Sequence, residues 1–272
     1  MIRVVVAAFV LFLQMQGGFV LAGPPPTCPK ALVAGIGGAP ALEVDRTHNE
    51  GRLIVVVNLK LKNKVSEAYV ALKEVLAGLA PGAEIRIVHW TKLDAGWLER
   101  TNPRAVVLGP QGTPWWEYDQ AALQPVKDAV LAWRGPLLGI CGGHQFIALA
   151  AGARVAPMRC NEDSKGYSGC AREKGYTEVR VQGDDPLFEG VGSGLTVWEN
   201  HVEEVKAIPD GFDLLGSTSV CGVQAFRRRG TSTYGVQFHP EVTTPEHREG
   251  LVVLRNFLQM AGLRILEAPS SR

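Results

Sequence analysis

The 272-residue chain lacks the cysteine and histidine patterns that bind structural metals. Its five cysteines are dispersed, without a C-x-x-C pair, and its six histidines show no H-E-x-x-H or H-x-H spacing. Five scattered cysteines are also too few for a small scaffold held together by disulfides. We therefore expect no metal and no other cofactor.

The sequence also lacks an excess of charge of one sign. Lysine and arginine number 28 against 27 acidic residues, a formal net charge of +1, and there is no long basic run. The nearest is the triplet 227–229, which precedes Gly230 and is typical of a solvated hairpin tip. This balance gives no reason to expect nucleic acid as a partner. Hydrophobic content of 46% and charged content of 20% are ordinary for a soluble globular protein.

The N-terminus is unlike the rest of the chain. A positive start is followed by uncharged residues from Val4 to Gly23, with small residues before Gly23 and a proline triplet after it. Residues 1–22 thus resemble a signal peptide or a membrane anchor, and we expect export or anchoring. A misassigned start codon or a poorly structured leader, in a cytoplasmic protein, is the alternative. Residues 23–51 read as a linker because proline favours extended backbone and no regular pattern follows.

Alternating strand and helix patterns predict one α/β domain over residues 52–264, followed by a tail at 265–272. Apolar runs predict buried strands at 53–59, 84–90, 105–109 and 136–140. Helical spacing predicts helices at 65–79, 118–133, 144–152 and 246–261, with Pro125 kinking or splitting the second. This order implies a mostly parallel sheet with helices on both faces, and the shorter strands after residue 153 imply an antiparallel extension.

The stretch "LGICGGHQ" at 138–145 places a cysteine between a buried strand and a helix. A residue at such a corner takes strained backbone angles, and glycines at 139, 142 and 143 would avoid clashes there. The arrangement resembles a nucleophile elbow with cysteine in place of serine. The helix N-terminus favours the thiolate of Cys141, and the Gly142 amide would face a developing oxyanion. A packed structural cysteine in a tight turn is the alternative.

A base and an orienting acid follow in "YGVQFHPE" at 234–241. His239 and Glu241 are two residues apart at the end of a strand, so both side chains can face one pocket. Glu241 can then hold one imidazole nitrogen while the other faces the Cys141 sulfur.

These two segments, "GICGGHQ" and "GVQFHPE", resemble the signature segments of class I glutamine amidotransferases. The segments "VVLGPQGTPWW" and "WENHVEEV" add supporting similarity, and the resemblance extends from Leu53 to Met260. It implies the flavodoxin-like fold of this family and a Cys141-His239-Glu241 triad. It further implies that glutamine is hydrolysed through a cysteinyl thioester.

The resemblance also implies the remaining site residues. Gly142 and a residue of the 109–112 loop would hold the oxyanion. Gly109 matches the family's glycine before proline best, and Gly112 is the other candidate because this loop departs from the usual Gly-Pro-Gly turn. Gln145 and main-chain groups around His201 and Val202 would bind the backbone part of the substrate.

Several other residues invite two interpretations each. His144 should face away from Cys141 and serve the structure. Trp115 and Trp116 could wall the pocket or pack within their loop. Cys160 and Cys170 could pair in an oxidising compartment or remain free thiols.

The acceptor of the nitrogen is not evident from the sequence. An amidotransferase of this length would need a separate synthetase subunit to use its ammonia. Export would favour the alternative of a γ-glutamyl hydrolase or peptidase with the same triad, because it attacks the same carbonyl without needing a synthetase.

Overall fold

The computed structural model describes residues 51–161, 167–191 and 194–265. The predicted leader at 1–22 lies outside the described residues, as do all but the last residue of the predicted linker and all but the first of the tail. Within the described part, no helix is both long and apolar enough to span a lipid bilayer.

A nine-stranded sheet forms the centre of the domain, in the order β2-β1-β3-β4-β11-β10-β9-β6-β7. Its strands are β1 (Leu53–Asn58), β2 (Glu84–His89), β3 (Ala105–Leu108), β4 (Leu137–Ile140), β6 (Glu173–Val181), β7 (Gly194–His201), β9 (Phe212–Ser217), β10 (Ala225–Arg228) and β11 (Thr233–Val236). The first five in the sheet order run parallel, and the remaining four pair antiparallel. Two short strands, β5 (Val155–Pro157) and β8 (Glu203–Val205), form a separate antiparallel pair. The predicted mostly parallel sheet with an antiparallel extension is confirmed.

Helices cover both faces of the sheet, as predicted. They are α1 (Glu67–Leu79), α2 (Ala95–Thr101), α3 (Gln120–Ala132), α4 (Gly142–Ala150) and α5 (Glu249–Met260). Helices α1 and α5 contribute to one buried apolar cluster, and α2, α3 and α4 contribute to another on the opposite face. In α1 the buried side chains of Tyr69, Leu72 and Leu76 recur at helical spacing, which is why this segment packs as a helix.

Two helices differ from the sequence-based expectation. Pro125 lies inside α3, which continues as one helix to Ala132. Helix α2 has no predicted counterpart because its seven residues hold only about two turns of periodic pattern. It begins where the Asp94 carboxylate accepts a hydrogen bond from the Trp97 amide at 2.7 Å, and it ends at Asn102 with φ 42°.

The carboxyl ends of the parallel strands meet at one edge of the sheet, and Cys141 follows the end of β4 at that edge. Because β11 runs beside β4 in parallel, the residues that follow β11 come to the same place. The topology therefore brings "GICGGHQ" and "GVQFHPE" together across about 95 residues of sequence.

Candidate active site

Cys141 occupies a strained corner between β4 and α4. Its backbone has φ 52° and ψ −104°, and among the described non-glycine residues only Asn102 shares a positive φ. Such angles cost about 1–3 kcal/mol and persist where surrounding structure enforces them. Here the Cys141 amide donates to the Val236 carbonyl at 2.8 Å, which ties the corner to the neighbouring strand. The cysteine is held by the backbone in the geometry expected of a nucleophile elbow.

The glycines around Cys141 permit close backbone packing. A Cβ atom at Gly143 would overlap the carbonyl of Leu108, and one at Gly139 would overlap the Gly143 carbonyl. The first turn of α4 therefore lies directly on the backbones of β3 and β4. A larger residue at either position would push the helix, and the cysteine with it, away from the sheet.

His239 and Glu241 form the predicted pair beside Cys141. The His239 Nδ1 lies 2.9 Å from the Glu241 Oε1, and both side chains are largely buried. The Cys141 side chain lies close enough to the His239 ring to interact with it electrostatically. Since Nδ1 is engaged by Glu241, the nitrogen that faces the sulfur is Nε2. The His239 amide donates to the Trp198 carbonyl at 2.8 Å and so fixes the backbone of the base against β7.

The electrostatics around His239 favour its protonated form. Burial alone would lower the pKa of His239, but the charges of Glu241 and Cys141 outweigh it and hold this pKa well above its ordinary value. The imidazole is therefore protonated around neutral pH. A protonated imidazole beside a thiolate supplies both a nucleophile and an acid for a leaving amine.

The predicted oxyanion donors are only partly consistent with the structure. Gly142 is the first residue of α4, so its amide has no acceptor within the helix and is free to act as predicted. The Gly109 amide donates to the Val57 carbonyl at 3.0 Å as part of the sheet, and its predicted role as an oxyanion donor stays a prediction. The lack of a side chain at Gly109 makes room for the Tyr69 ring.

The backbone of Gln111 lies against the elbow. Its amide nitrogen lies 2.8 Å from where a Cβ atom on Gly142 would stand, whereas nothing approaches within 4 Å of a Cβ atom on Gly112. The side-chain Oε1 of Gln111 accepts hydrogen bonds from the Thr113 amide at 2.6 Å and the Tyr118 hydroxyl at 3.1 Å, which hold the loop in place. Gln111 is thus a residue of this loop that lies directly against the corner.

The side chain of Gln145 is bound on both ends by protein groups. Its Nε2 donates to the Glu203 carbonyl at 3.0 Å and to the Gln237 Oε1 at 3.1 Å, and its Oε1 accepts from the Trp115 indole at 3.0 Å. Both of its amide hydrogens are thereby used. A substrate could therefore bind this side chain only by donating a hydrogen bond to the second lone pair of Oε1. The predicted contact with the substrate stays a prediction.

His201 forms a buried ion pair rather than an open binding group. Its Nε2 lies 3.0 Å from Glu173 and 3.2 Å from Glu199, and its Nδ1 lies 2.9 Å from the Glu203 carbonyl. Burial would lower the pKa of His201, but the two carboxylates raise it to about 10. The Val202 carbonyl accepts from the Met158 amide at 2.8 Å. The predicted substrate contacts of the main chain at 201–202 stay a prediction.

Donor atoms of Glu173, His201 and Cys221 lie within 4.8 Å of one another, a spacing at which a cation could bind. The Glu173 carboxylate, however, already accepts hydrogen bonds from Thr218, Gln224 and His201. These three hydrogen bonds stabilise the buried negative charge of Glu173 without a metal.

Other predicted positions resolve into structural roles. His144 is fully buried, its ring lies 4.4 Å from that of Phe226, and burial lowers its pKa to about 3, so it is neutral. Trp115 is buried, whereas Trp116 is 63% exposed and lies against Tyr167. Cys160 and Cys170 are joined by a disulfide.

Sequence reasoning missed Gln111, Gln237 and the acidic partners of His201. Gln111, Gln237 and Glu173 act through contacts between elements distant in the chain, and a lone glutamine or glutamate within a strand or loop carries no local pattern. The available signal was a spacing of two residues, which places Gln237 on the face of His239 and Glu199 on the face of His201.

Comparison with known proteins agrees with this geometry. The model of the family described as glutamine amidotransferase class-I matches residues 67–260. One subunit of the glutamine-hydrolyzing GMP synthase from Methanococcus maripaludis is 39% identical over 132 residues, which are 48% of this chain and 63% of that protein. The corresponding protein of Methanocaldococcus jannaschii is 37% identical over 137 residues, which are 50% of this chain and 66% of that protein. The chain thus spans less than two thirds of the length of these curated relatives.

Solved structures show the same fold. A Thermoplasma acidophilum protein provisionally assigned as a GMP synthase subunit is 31% identical, with a TM-score of 0.61 over 79% of this chain and 96% of that one. A glutamine amidotransferase from Thermotoga maritima is 18% identical, with a TM-score of 0.61 over 78% of this chain and 98% of that one, and supports the fold alone. On the family match and the fold together, the chain belongs to the class-I glutamine amidotransferase family of cysteine enzymes.

Proposed function

We propose that this chain hydrolyses the side-chain amide of glutamine to glutamate and ammonia, with Cys141 as nucleophile. The observation that carries the proposal is the strained Cys141 at φ 52° beside a His239 ring that is bound to Glu241 at 2.9 Å. A cysteine that served packing alone would need neither the strain nor a buried charged partner.

The proposed reaction uses groups already in place. The Cys141 thiolate attacks the amide carbon, and the developing oxyanion is held by the Gly142 amide and, as second donor, the Gln111 amide. Imidazolium His239 gives its proton to the departing ammonia, leaving a thioester on Cys141. A water molecule then attacks the thioester while His239 takes its proton, and the thiolate departs with release of glutamate. Glu241 keeps the His239 ring in the orientation that both steps require.

We further propose that the ammonia passes to a separate synthetase subunit. Relatives named as one subunit of a glutamine-hydrolysing GMP synthase support this arrangement, and they favour, as the acceptor, a GMP synthetase subunit. Direct transfer also has a chemical advantage, because ammonia that escapes into water is protonated and loses its nucleophilic lone pair.

A γ-glutamyl hydrolase or peptidase is the second candidate. The apolar leader at 1–22 favours it, since an exported or anchored enzyme would be separated from cytosolic synthetases. Purified full-length chain should therefore be assayed with glutamine and with γ-glutamyl peptides. A higher kcat/KM for the peptides would overturn the first proposal. N-terminal sequencing of the mature protein from exported, membrane and cytosolic fractions would decide where residues 1–22 direct it.

The mechanism predicts that Cys141→Ser removes glutaminase activity, with a loss of about 10⁴-fold or more. The matched control is Cys221→Ser, because Cys221 is the other free, buried cysteine among the described residues and contacts none of the triad. Ammonia release from glutamine should be measured in both variants. Retained activity in Cys141→Ser would refute the proposed nucleophile.

A further inference from the structure

Gln237 is a side chain outside the triad that contacts the Cys141 sulfur. It follows β11, its side chain is fully buried, and its Nε2 lies 3.7 Å from the Cys141 Sγ. A distance of this length is typical of a hydrogen bond to sulfur, which is a larger and softer acceptor than oxygen. The contact places an amide N–H against the atom that becomes the thiolate.

The orientation of the Gln237 amide is set by a chain of hydrogen bonds that begins at Trp115. The indole N–H can only donate, so the Gln145 atom 3.0 Å away must be its carbonyl oxygen. The Gln145 nitrogen then faces the other way and donates to the Gln237 oxygen at 3.1 Å. With its oxygen taken, Gln237 must turn its nitrogen to the sulfur. Amide nitrogen and oxygen are otherwise hard to tell apart, and here the indole decides between them.

The chain of hydrogen bonds is buried and anchored at both ends. Trp115 is 6% exposed and packs against the Tyr118 and Phe146 rings, at 5.1 and 5.6 Å between centroids. The second Gln145 hydrogen goes to the Glu203 carbonyl at 3.0 Å, which leaves the amide no freedom to rotate. In this dry setting a reversed Gln237 would press its oxygen against a thiolate, a repulsive contact.

We propose that Gln237 is a further catalytic residue, whose amide N–H stabilises the Cys141 thiolate, and that Trp115 and Gln145 are positioning residues that orient it. The assignment rests on Cys141 being the nucleophile of the proposed function. A hydrogen bond to an ionised acceptor is stronger than one to a neutral acceptor, so Gln237 favours the thiolate over the thiol. The same bond stabilises the sulfur when the thiolate departs from the thioester, and it therefore assists the second half of the reaction. No proton is transferred to or from Gln237.

The test is the rate at which iodoacetamide alkylates Cys141, followed by peptide mass spectrometry over a range of pH in the full-length chain without glutamine. Gln237→Met keeps the size of the side chain but cannot donate. Near pH 6 its alkylation rate should fall by about 10-fold relative to wild type, and the difference should vanish at high pH where the thiol is ionised in both. An unchanged rate near pH 6 in a variant with wild-type circular dichroism would refute the proposal.

Two further variants separate orientation from packing. Trp115→Phe retains an aromatic ring but removes the indole donor, so the two amides can reverse, and the alkylation rate near pH 6 should fall by about 3-fold. Gln224→Met is the matched control, since Gln224 is equally buried but donates to Glu173, and its rate should equal that of wild type. A fall of the same size in Gln224→Met would show a general packing effect and overturn the assignment.

The buried Cys221 serves as an internal reference for folding in every sample. If Cys221 becomes reactive in Gln237→Met, the fold of that variant has opened and its Cys141 alkylation rate is no test. The Trp115→Phe variant is then the test, and a wild-type rate of Cys141 alkylation in it would overturn the proposal. The alkylation assay contains no glutamine, so its result does not depend on the proposed glutaminase activity. If only the proposed function is wrong, the alkylation rates will differ with pH as expected, but the wild-type chain will release no ammonia from glutamine.

Discussion

Within the active-site corner, the Cys141 sulfur is subject to three separate influences. The His239 ring lies beside it, the Gln237 amide contacts it, and the N-terminus of α4 lies directly behind it. The ring brings a full charge, the amide a directed dipole and the helix a set of aligned peptide dipoles. Because the ring and the amide belong to different side chains, substitutions can remove them one at a time.

The carboxylate of Glu241 is predicted to set the alkaline limit of the activity. It raises the pKa of His239, so the imidazolium that protonates the leaving ammonia persists to higher pH than in an isolated histidine. In Glu241→Gln this support is lost, the pKa of His239 falls, and the alkaline limb of the profile of kcat/KM against pH should move to lower pH. At about pH 8.5 we expect a loss of roughly 10-fold or more.

Glu246→Gln is the matched control for this measurement, because it removes an exposed carboxylate from the same connection between β11 and α5. Its profile should superimpose on that of wild type. A uniform loss across the whole pH range in Glu241→Gln, without movement of the alkaline limb, would contradict the electrostatic role and leave only an orienting one.

The elements that hold the elbow depend on close backbone contact. Helix α4 rests on β3 through Gly143, where an added Cβ atom would overlap the Leu108 carbonyl. The helix also buries its first seven residues, so it has no exposed side on which to shift. Because Cys141 is the residue that joins β4 to this helix, movement of α4 would move the sulfur.

Gly143→Ala should therefore lower the free energy of unfolding by about 1–3 kcal/mol and reduce glutaminase activity with it. Gly78→Ala is the opposite case, since nothing lies within 4 Å of a Cβ atom at that exposed position of α1. It should raise stability by up to about 1 kcal/mol, because alanine favours the helix more than glycine does. Urea unfolding of both variants gives the comparison. Equal stability of the two would show that the Gly143 contact is not limiting.

Much of this architecture is predictable from sequence, and the exceptions have physical causes. The elbow and the pair His239-Glu241 carry local patterns, glycines around a cysteine and a spacing of two residues at a strand end. Gly109 was predicted as an oxyanion donor because it precedes Pro110, as in the family's loop. Whether its amide is free depends on strand pairing with Val57, and the local sequence does not determine that pairing.

Gln111 and Gln237 illustrate the complementary limit. Both reach the elbow because separate elements meet at the carboxyl edge of the sheet. The neighbours of Gln111 in the chain do not mark it, and the spacing of Gln237 from His239 indicates only a shared face, not a contact with sulfur. The predicted strands, by contrast, depend on apolar runs that must be buried on both faces, so β1 is found where its six consecutive buried residues predict it.

Among the residues that the structure describes, the exposed large apolar side chains gather at one edge of the sheet. They are Leu61, Val65, Val70, Trp116 and Val220. The first three follow β1, Trp116 follows β3, and Val220 follows β9, which runs in the same direction as β4. Four of them therefore lie in connections at the carboxyl edge, where Cys141 also lies, and Val70 lies near the start of α1, the helix that follows the β1 connection. Single exposed apolar residues are common, but their restriction to the catalytic edge fits a surface that a partner covers.

The occupant that the proposed function requires there is the synthetase subunit, because ammonia must leave the site without entering bulk water. Trp116 is the largest and most exposed of the five, at 63%, and tryptophan often dominates binding where a partner buries it. Trp116→Ser should weaken binding of a GMP synthetase subunit from the same organism by about 10-fold or more, measured by calorimetry. It should leave basal ammonia release from glutamine unchanged, since Trp116 does not contact the triad.

Arg134→Ser provides the control, because this exposed residue precedes β4 at the opposite edge and its loss should not affect binding. If Trp116→Ser binds as wild type does while Arg134→Ser is weakened, the partner docks away from the catalytic edge and ammonia must reach it by another route.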